Sequence, residues 1–386
     1  MSVTAAQGFL AAGVAASIKS TGKPDVALVV NQGPQFVAAG QFTSNRFAAA
    51  PVVVSRDRVA AGHARAVILN SGCANACTGQ AGLADAEETC HVVADELDCA
   101  PTDVLVCSTG MIGVPLPMDK LLSGVAGAAA ALSPDGGNDA AEAIRTTDTK
   151  AKEAQVAGPG YVVGGMAKGA GMLAPGLATM LVVITTDAVI SPQLAQSALT
   201  SACQTTFNRV DSDGCMSTND TVLLLASGAS GTEPDGDQFA QSLSEVCAAL
   251  ARQLVADAEG SSHDIAVTVT NARTEAQAED AARVITRSNL FKAAIFGNDP
   301  NWGRIVSALG TLAPDACPFD PDEVDVTINE VMICRGGQVG DDRDLVDLTP
   351  REVHVTVDLK AGSAQATVWT NDLTYDYVEE NSAYSS

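Results

Sequence analysis

Short β-branched runs, each closed by a cluster of turn residues, recur along the first third of this chain and constrain the core it can build. Residues 27–30, 51–54 and 66–69 are such runs, bounded by Gly, Asn, Ser and Pro, and each predicts a strand. Aromatic residues are only 4% of the 386 while hydrophobic residues reach 46%, so the core must be packed from Ala, Val, Leu and Ile. Small side chains favour helices lying close on sheets over an aromatic-lined binding module. A chain of this length has room for two or three structural units. The expected class is a layered α+β protein.

The rest of the chain extends that pattern. Leu83, Cys90, Val93 and Leu97 lie at helical spacing and predict a helix over 83–97. Residues 103–107 predict a buried strand that runs straight into Ser108-Thr-Gly-Met-Ile-Gly113. A turn-rich break at 133–140 precedes a short helix near 138–146, and 151–175 is Gly-rich with two Pro and two Lys. A strand over 180–186 follows, then a helix opened by Ser191 and Pro192, an N-cap and first-turn pair. Helices over 237–259 and 274–288 and strands over 264–270, 324–328, 353–359 and 365–370 complete the reading. Short turns join the late strands, which predicts antiparallel pairing.

A net charge of −24 without a basic block excludes attraction to nucleic acid or to an anionic membrane. If the substrate is an anionic amino acid, the few basic side chains near the site must recognise it. The N-terminus lacks the basic and apolar regions of a secretory signal, and no apolar stretch is long enough to span a bilayer. A cytoplasmic chain is expected, with its ten cysteines reduced. Their spacing matches no zinc motif, so no metal is expected, and most of them read as small buried hydrophobes.

The most informative stretch is 164–184. On pattern alone it is a Gly-rich loop leading into a buried strand. A phosphate-binding loop fails, because Lys168 is followed by Gly and then by a strand, where that motif needs Ser or Thr and a helix. Cleavage before Thr179 is the other chemistry open to it. A threonine at a new chain start carries an α-amine, with a reference pKa of about 8, beside its own hydroxyl. One residue then supplies both nucleophile and base. Ala178 is small, Pro175 and Gly176 favour a bend, and the strand that follows would hold Thr179 rigidly.

The segment Lys168-Gly-Ala-Gly-Met-Leu-Ala-Pro-Gly-Leu-Ala-Thr-Met180 resembles the cleavage-site motif of the ornithine acetyltransferase (glutamate N-acetyltransferase) family. The likeness runs nearly end to end. It takes in Gln7-Gly-Phe9, Gly22-Lys-Pro-Asp25, Asn70-Ser-Gly-Cys-Ala-Asn-Ala-Cys-Thr-Gly79, Ser108-Thr-Gly-Met-Ile-Gly113 and Thr146-Thr-Asp-Thr149. Ser217-Thr-Asn-Asp-Thr221, Gly297-Asn-Asp-Pro-Asn-Trp-Gly-Arg304 and Tyr377-Val-Glu-Glu-Asn-Ser382 follow in order.

The resemblance implies an αββα sandwich of the self-processing N-terminal-nucleophile type shared with β-aminopeptidases, plus a smaller α/β subdomain in the C-terminal half. It implies self-cleavage at Ala178–Thr179 into an α chain (1–178) and a β chain (179–386) that share one intertwined core. Thr179 would then carry acetyl from N2-acetyl-L-ornithine to L-glutamate in a ping-pong reaction. Thr109 and Gly110 match the oxyanion donors. Thr146 (chosen over Thr147), Lys168, Thr179, Glu259, Asn381 and Ser386 match the substrate-binding set. Glu259, read as the end of the 237–259 helix, would oppose the helix dipole. No cofactor is implied; acetyl-CoA would enter only as a co-substrate, since family members differ in accepting it. The implied assembly is an α2β2 heterotetramer.

Two departures from the family pattern stand out: Cys73, where Asn or Gly is usual, and a longer Asp211-Ser-Asp-Gly-Cys-Met-Ser217 turn. Neither is expected to touch the catalytic groups. The rival readings are a self-processing aminopeptidase or amidase, in which water replaces glutamate, and a non-catalytic acidic binding protein that stays intact.

Overall fold

The computed structural model describes residues 2–174 and 180–383, so Ala178, Thr179 and Ser386 lie outside the described residues. Two compact units are present. The first runs to Asn208 and includes Cys215–Asp257; the second combines Arg209–Gly214 with the chain from Ala258 onward.

The first unit contains β1 (Phe9–Val14), β2 (Val26–Asn31), β3 (Val37–Phe42), α1 (Ala50–Val59), β4 (Ala66–Cys73), α2 (Gly79–Leu97), β5 (Val104–Met111) and α3 (Met118–Ala130). It continues with α4 (Gly137–Ala143), β6 (Lys152–Gly158), β7 (Tyr161–Lys168), β8 (Leu181–Thr186), α5 (Pro192–Thr205), β9 (Thr221–Ala226) and α6 (Gly236–Ala256). One sheet has the order β1-β2-β4-β5 and the other β3-β9-β8-β7-β6.

Strand alternation explains how these layers stack. Ala27, Val29, Val67 and Leu69 of the first sheet meet Met166, Val183 and Leu223 of the second. The intervening Val26, Leu28 and Ile68 turn the other way, onto Val54, Cys90 and Leu121 of α1, α2 and α3. Helix α6 packs on β6 and β7, and α5 on β3. The result is the expected αββα sandwich. Each fully buried Val or Leu contributes roughly 1.5–3 kcal/mol, so this doubly covered core needs no aromatic bulk. Strands from both sides of the 178–179 bond share one sheet: β7 pairs antiparallel with β8, and β9 lies between β3 and β8.

Three local expectations fail for identifiable reasons. Residues 51–54 are helical, within α1: Pro51 sits in its first turn, and the Ser55 hydroxyl donates 2.7 Å to the Val106 carbonyl, docking the helix on β5. The Gly-rich 151–175 stretch is largely the β6–β7 hairpin. A Cβ on Gly164 would lie 2.3 Å from the Ser2 carbonyl oxygen, so this glycine marks close packing.

The third miss lies in the second unit. It contains β10 (Asp264–Ala272), α7 (Glu275–Thr286), α8 (Asn289–Phe296), α9 (Trp302–Leu309), β11 (Asp325–Ile328), β12 (Val331–Arg335), β13 (Gln338–Val339), β14 (Glu352–Asp358), β15 (Ala364–Asn371) and α10 (Tyr375–Ala383). The sheet order is β13-β12-β11-β14-β10-β15. Strand β10, from far upstream, inserts between β14 and β15 and runs parallel to β14. The late strands are therefore not purely antiparallel. One face of this sheet is covered by α7, α8 and α9 through Ile285, Phe291, Ile295 and Ile305.

Candidate functional site

Thr109 and Gly110 do not lie past the end of β5 but within it, where β5 runs parallel to β4. The register slips at Gly72 and Cys73, a bulge directly opposite Gly110. Gly110 has φ +129°, and a Cβ there would sit 2.4 Å from the Gly72 carbonyl carbon and 2.6 Å from the Cys73 amide nitrogen. No other residue fits. The Cys73 backbone is therefore packed against Gly110, contrary to the expectation that Cys73 stands clear of the proposed catalytic groups.

Lys168, the last residue of β7, is 1% exposed, and its ammonium donates to the Thr109 hydroxyl at 3.2 Å. It lies across from Leu181 in the β7–β8 register. Thr109 thus stands beside the N-terminal end of β8, two residues after Thr179 in sequence. A buried cation needs anionic company, and Asp148 supplies it. Burial alone would raise this carboxyl, but Lys168, Lys152 and the Gly169 amide outweigh burial and hold it far below the usual carboxylate range. Lys152 is fully buried between Asp148 at 2.6 Å and Asp257 at 2.5 Å. The Thr146 amide donates to Asp148 at 3.0 Å, which ties the exposed Thr146 to this set.

Half-buried Lys19 adds a second cation. Its pKa is lowered to about 8 by burial, with like charge from Lys168 and Arg145 adding to the effect. Its aliphatic stem covers Gly72. Nothing in the local sequence around Lys19 marks it.

Glu259 and Asn381 belong to the second unit, where the Asn381 amide donates to Glu259 at 3.0 Å. The dipole argument for Glu259 fails, because α6 ends at Ala256 and Asp257 is its C-cap. The acid opposing the dipole is Asp257, which Lys152 and the Thr149 amide neutralise. Gly260, at φ +59°, allows the start of α10 to approach: a Cβ would meet the Tyr377 nitrogen at 2.2 Å. Glu380, on α10, is shifted up by burial and then by its neighbours Glu259, Asp376 and Glu379. The outcome is a negatively charged patch on the second unit.

Sequence reading missed Asp148, Lys152 and Asp257 as a set, along with Asn219 and Asp220. The Thr146–Thr149 and Ser217–Thr221 motifs did flag three of these five, but their partners are distant in the chain. All ten cysteines are free thiols and seven are buried. Among the described residues no group of three or more His, Cys, Asp or Glu side chains could hold a metal, and no helix is long and apolar enough to cross a membrane.

A layered α+β protein with a buried lysine bonded to a threonine hydroxyl, beside a strand position that only glycine fits, is the class that this fold and site define. Comparison with known proteins narrows it: residues 10–386 match the ArgJ family, and the chain belongs to that family. It is 60% identical over 386 residues to the arginine biosynthesis bifunctional protein ArgJ of Streptomyces coelicolor, covering all of both chains. The protein of the same name from Bifidobacterium longum is 58% identical over 391 residues, again covering all of both. Among solved structures, ornithine acetyltransferase from Mycobacterium tuberculosis, complexed with ornithine, is 48% identical, with a TM-score of 0.43 over 47% of this chain and 96% of that one.

Proposed function

We propose that this acyltransferase of arginine biosynthesis moves the acetyl group of N2-acetyl-L-ornithine to L-glutamate through an ester on Thr179. The observation that carries the reading is the buried Lys168–Thr109 contact at 3.2 Å, because it sets the Thr109–Gly110 donors beside the strand that Thr179 precedes. Full-length membership of the ArgJ family supports it.

The first step is maturation. The Thr179 hydroxyl attacks the Ala178 carbonyl carbon, the C–N bond breaks, and the released α-amine takes up the hydroxyl proton. Water then hydrolyses the ester, leaving chains 1–178 and 179–386. In the transfer reaction the new α-amine, with a reference pKa of about 8, accepts the hydroxyl proton as Thr179 attacks the acetyl carbon. Thr109 and Gly110 meet the oxyanion, and ornithine leaves with the proton on its nitrogen. The amine of glutamate then attacks the acetyl-threonine ester and regenerates Thr179.

Lys168, with Thr146 nearby, suits a substrate carboxylate, and the Glu259–Asn381 patch suits the amines of ornithine; Ser386 completes the proposed set. No cofactor is needed, and acetyl-CoA is a second donor to test because the relatives are named bifunctional. The mature form is proposed as a cytoplasmic α2β2 heterotetramer, which native mass measurement checks.

Denaturing mass analysis of active protein should give two chains, the second beginning at Thr179. Thr179→Ala should stay uncut and transfer no acetyl. A single intact species in active wild-type protein would sink the reading. Release of free acetate with no transfer to glutamate would favour the amidase alternative.

A further inference from the structure

Two consecutive residues, Asn219 and Asp220, sit just before β9, and the two are 4% and 0% exposed. They reach in different directions. The Asn219 amide nitrogen donates to the Ser108 carbonyl at 2.8 Å and to the Ala74 carbonyl at 2.6 Å. The Ser108 carbonyl belongs to the peptide that joins Ser108 to Thr109, so this bond fixes the backbone that carries a proposed oxyanion residue. The Ala74 carbonyl lies just past the bulge that closes on Gly110, and the Ala74 amide in turn donates to the Met111 carbonyl at 2.9 Å.

Asp220 reaches the residue that follows the proposed nucleophile in the chain. Its Oδ1 accepts from the Met180 amide at 3.1 Å, which is the nitrogen of the peptide that joins Thr179 to Met180. The Thr221 amide donates to the Met180 carbonyl, also at 3.1 Å, so both peptide groups of Met180 are held. The loop is itself fixed: the Thr43 amide donates to the Asp220 carbonyl at 2.9 Å, and the Ala49 amide to the Thr218 carbonyl at 2.9 Å. Complete burial pushes the Asp220 carboxyl well above its usual range, against the Met180 amide, the nearby Ser217 and Thr43 hydroxyls and the Lys168 charge. Burial thus favours the uncharged form of Asp220, and the contact that ties it to β8 is its Oδ1 accepting from the Met180 amide.

We propose that Asn219 and Asp220 are positioning residues, a brace for the proposed nucleophile and oxyanion residues, one holding the Ser108–Thr109 peptide and the other the Met180 amide that follows Thr179 in the chain. The inference rests on the acyl-transfer reading above. Because the two residues are adjacent in the chain, the separation of the two peptides is set by a single rigid link. Transition-state stabilisation by fixed donors depends on that separation, and a misplacement of about 1 Å costs on the order of 100-fold in rate.

The test compares Asn219→Ala, Asp220→Ala and Asp220→Asn with Ser55→Ala, which removes a buried hydrogen bond to the same strand β5 outside the brace. Asn219→Ala should lower kcat for acetyl transfer, and the rate of precursor cleavage, by about 30- to 300-fold with KM for glutamate within about threefold. Ser55→Ala should lower Tm comparably with kcat nearly unchanged. Asp220→Asn keeps an acceptor oxygen at the position that meets the Met180 amide. It should recover most of what Asp220→Ala loses. Amide hydrogen exchange, read independently of activity, should quicken at Met180 in Asp220→Ala and across 108–110 in Asn219→Ala.

Unchanged exchange at these amides, or an Asn219→Ala kcat no lower than that of Ser55→Ala, overturns the brace. So does an Asp220→Asn enzyme as impaired as Asp220→Ala, a comparison that stands even where the alanine variants fold poorly. Wild-type protein that neither cuts itself nor transfers acetyl would refute the proposed function, while the exchange data would still decide the brace.

Discussion

The two units bury polar groups by different rules. In the first, β2, β8 and β9 are buried at every position, because a sheet or a helix layer covers each face. Several polar side chains enter that interior in matched sets: Lys168 with Thr109, Lys152 with Asp148 and Asp257, Asn219 with two carbonyls. In the second unit β10 and β14 alternate, with Val267 and Val355 fully buried and Thr268 and His354 on the more open face. A site inside a sandwich is therefore built from groups that tolerate no loss of partner. A one-sided sheet tolerates substitution on its open face, and the substrate contacts proposed for this unit, Glu259 and Asn381, lie at its surface.

The sharpest way to break this contrast is Lys152→Met. It strands two buried carboxylates and should cost about 3–5 kcal/mol in denaturant unfolding. Asp148, held well down in the folded protein, lends stability that is present above the ordinary carboxylate range and lost as pH falls through its depressed folded value. The gap between wild type and variant should therefore narrow below about pH 4. A gap under about 1 kcal/mol, or one indifferent to pH, would show that the triad does not behave as a buried set.

Gly110→Ala comes next. Its Cβ overlaps the backbone of Gly72, so the donor pair must shift and acetyl transfer should fall about 100- to 1,000-fold, with processing impaired as well. An alanine enzyme within tenfold of wild type would remove Gly110 from the oxyanion site.

In the second unit Glu259→Gln should leave processing intact and raise KM for acetylornithine about tenfold, with a smaller effect on glutamate. Equal effects on both substrates would argue against an amine contact. The smallest change is expected from Thr268→Val. Its hydroxyl meets that of Thr367 at 2.8 Å on the open face, and stability should move by no more than about 0.5 kcal/mol. A loss above about 2 kcal/mol would mean that this face is as exacting as the sandwich interior.

How much was legible in advance follows the same division. Periodicity located α2, α5, α6, α7, β4, β8 and β10, because each buries a face or a core that local sequence encodes. It misassigned 51–54, where a β-branched run accepts a helix once Pro51 starts it and β5 offers a docking carbonyl. It also misread the glycines of β7, whose meaning depends on what lies 2.3 Å away across the fold. Family motifs marked Thr109, Gly110 and Lys168, but no motif states that Lys168 bonds Thr109 or that Asp257, rather than Glu259, caps α6.

By itself the sequence determined the class of core, through its wealth of Ala and Val and its scarcity of aromatics. It also carried the motif on which the proposed chemistry rests, a threonine placed after Ala178. The tertiary structure decided which groups meet. Residues 180 and 220 are brought together by the β8–β9 register, 109 and 168 by the stacking of two sheets, and 148 and 257 by Lys152 between them, and hydrogen-bond geometry between distant residues is a property of the packed fold that no local pattern carries.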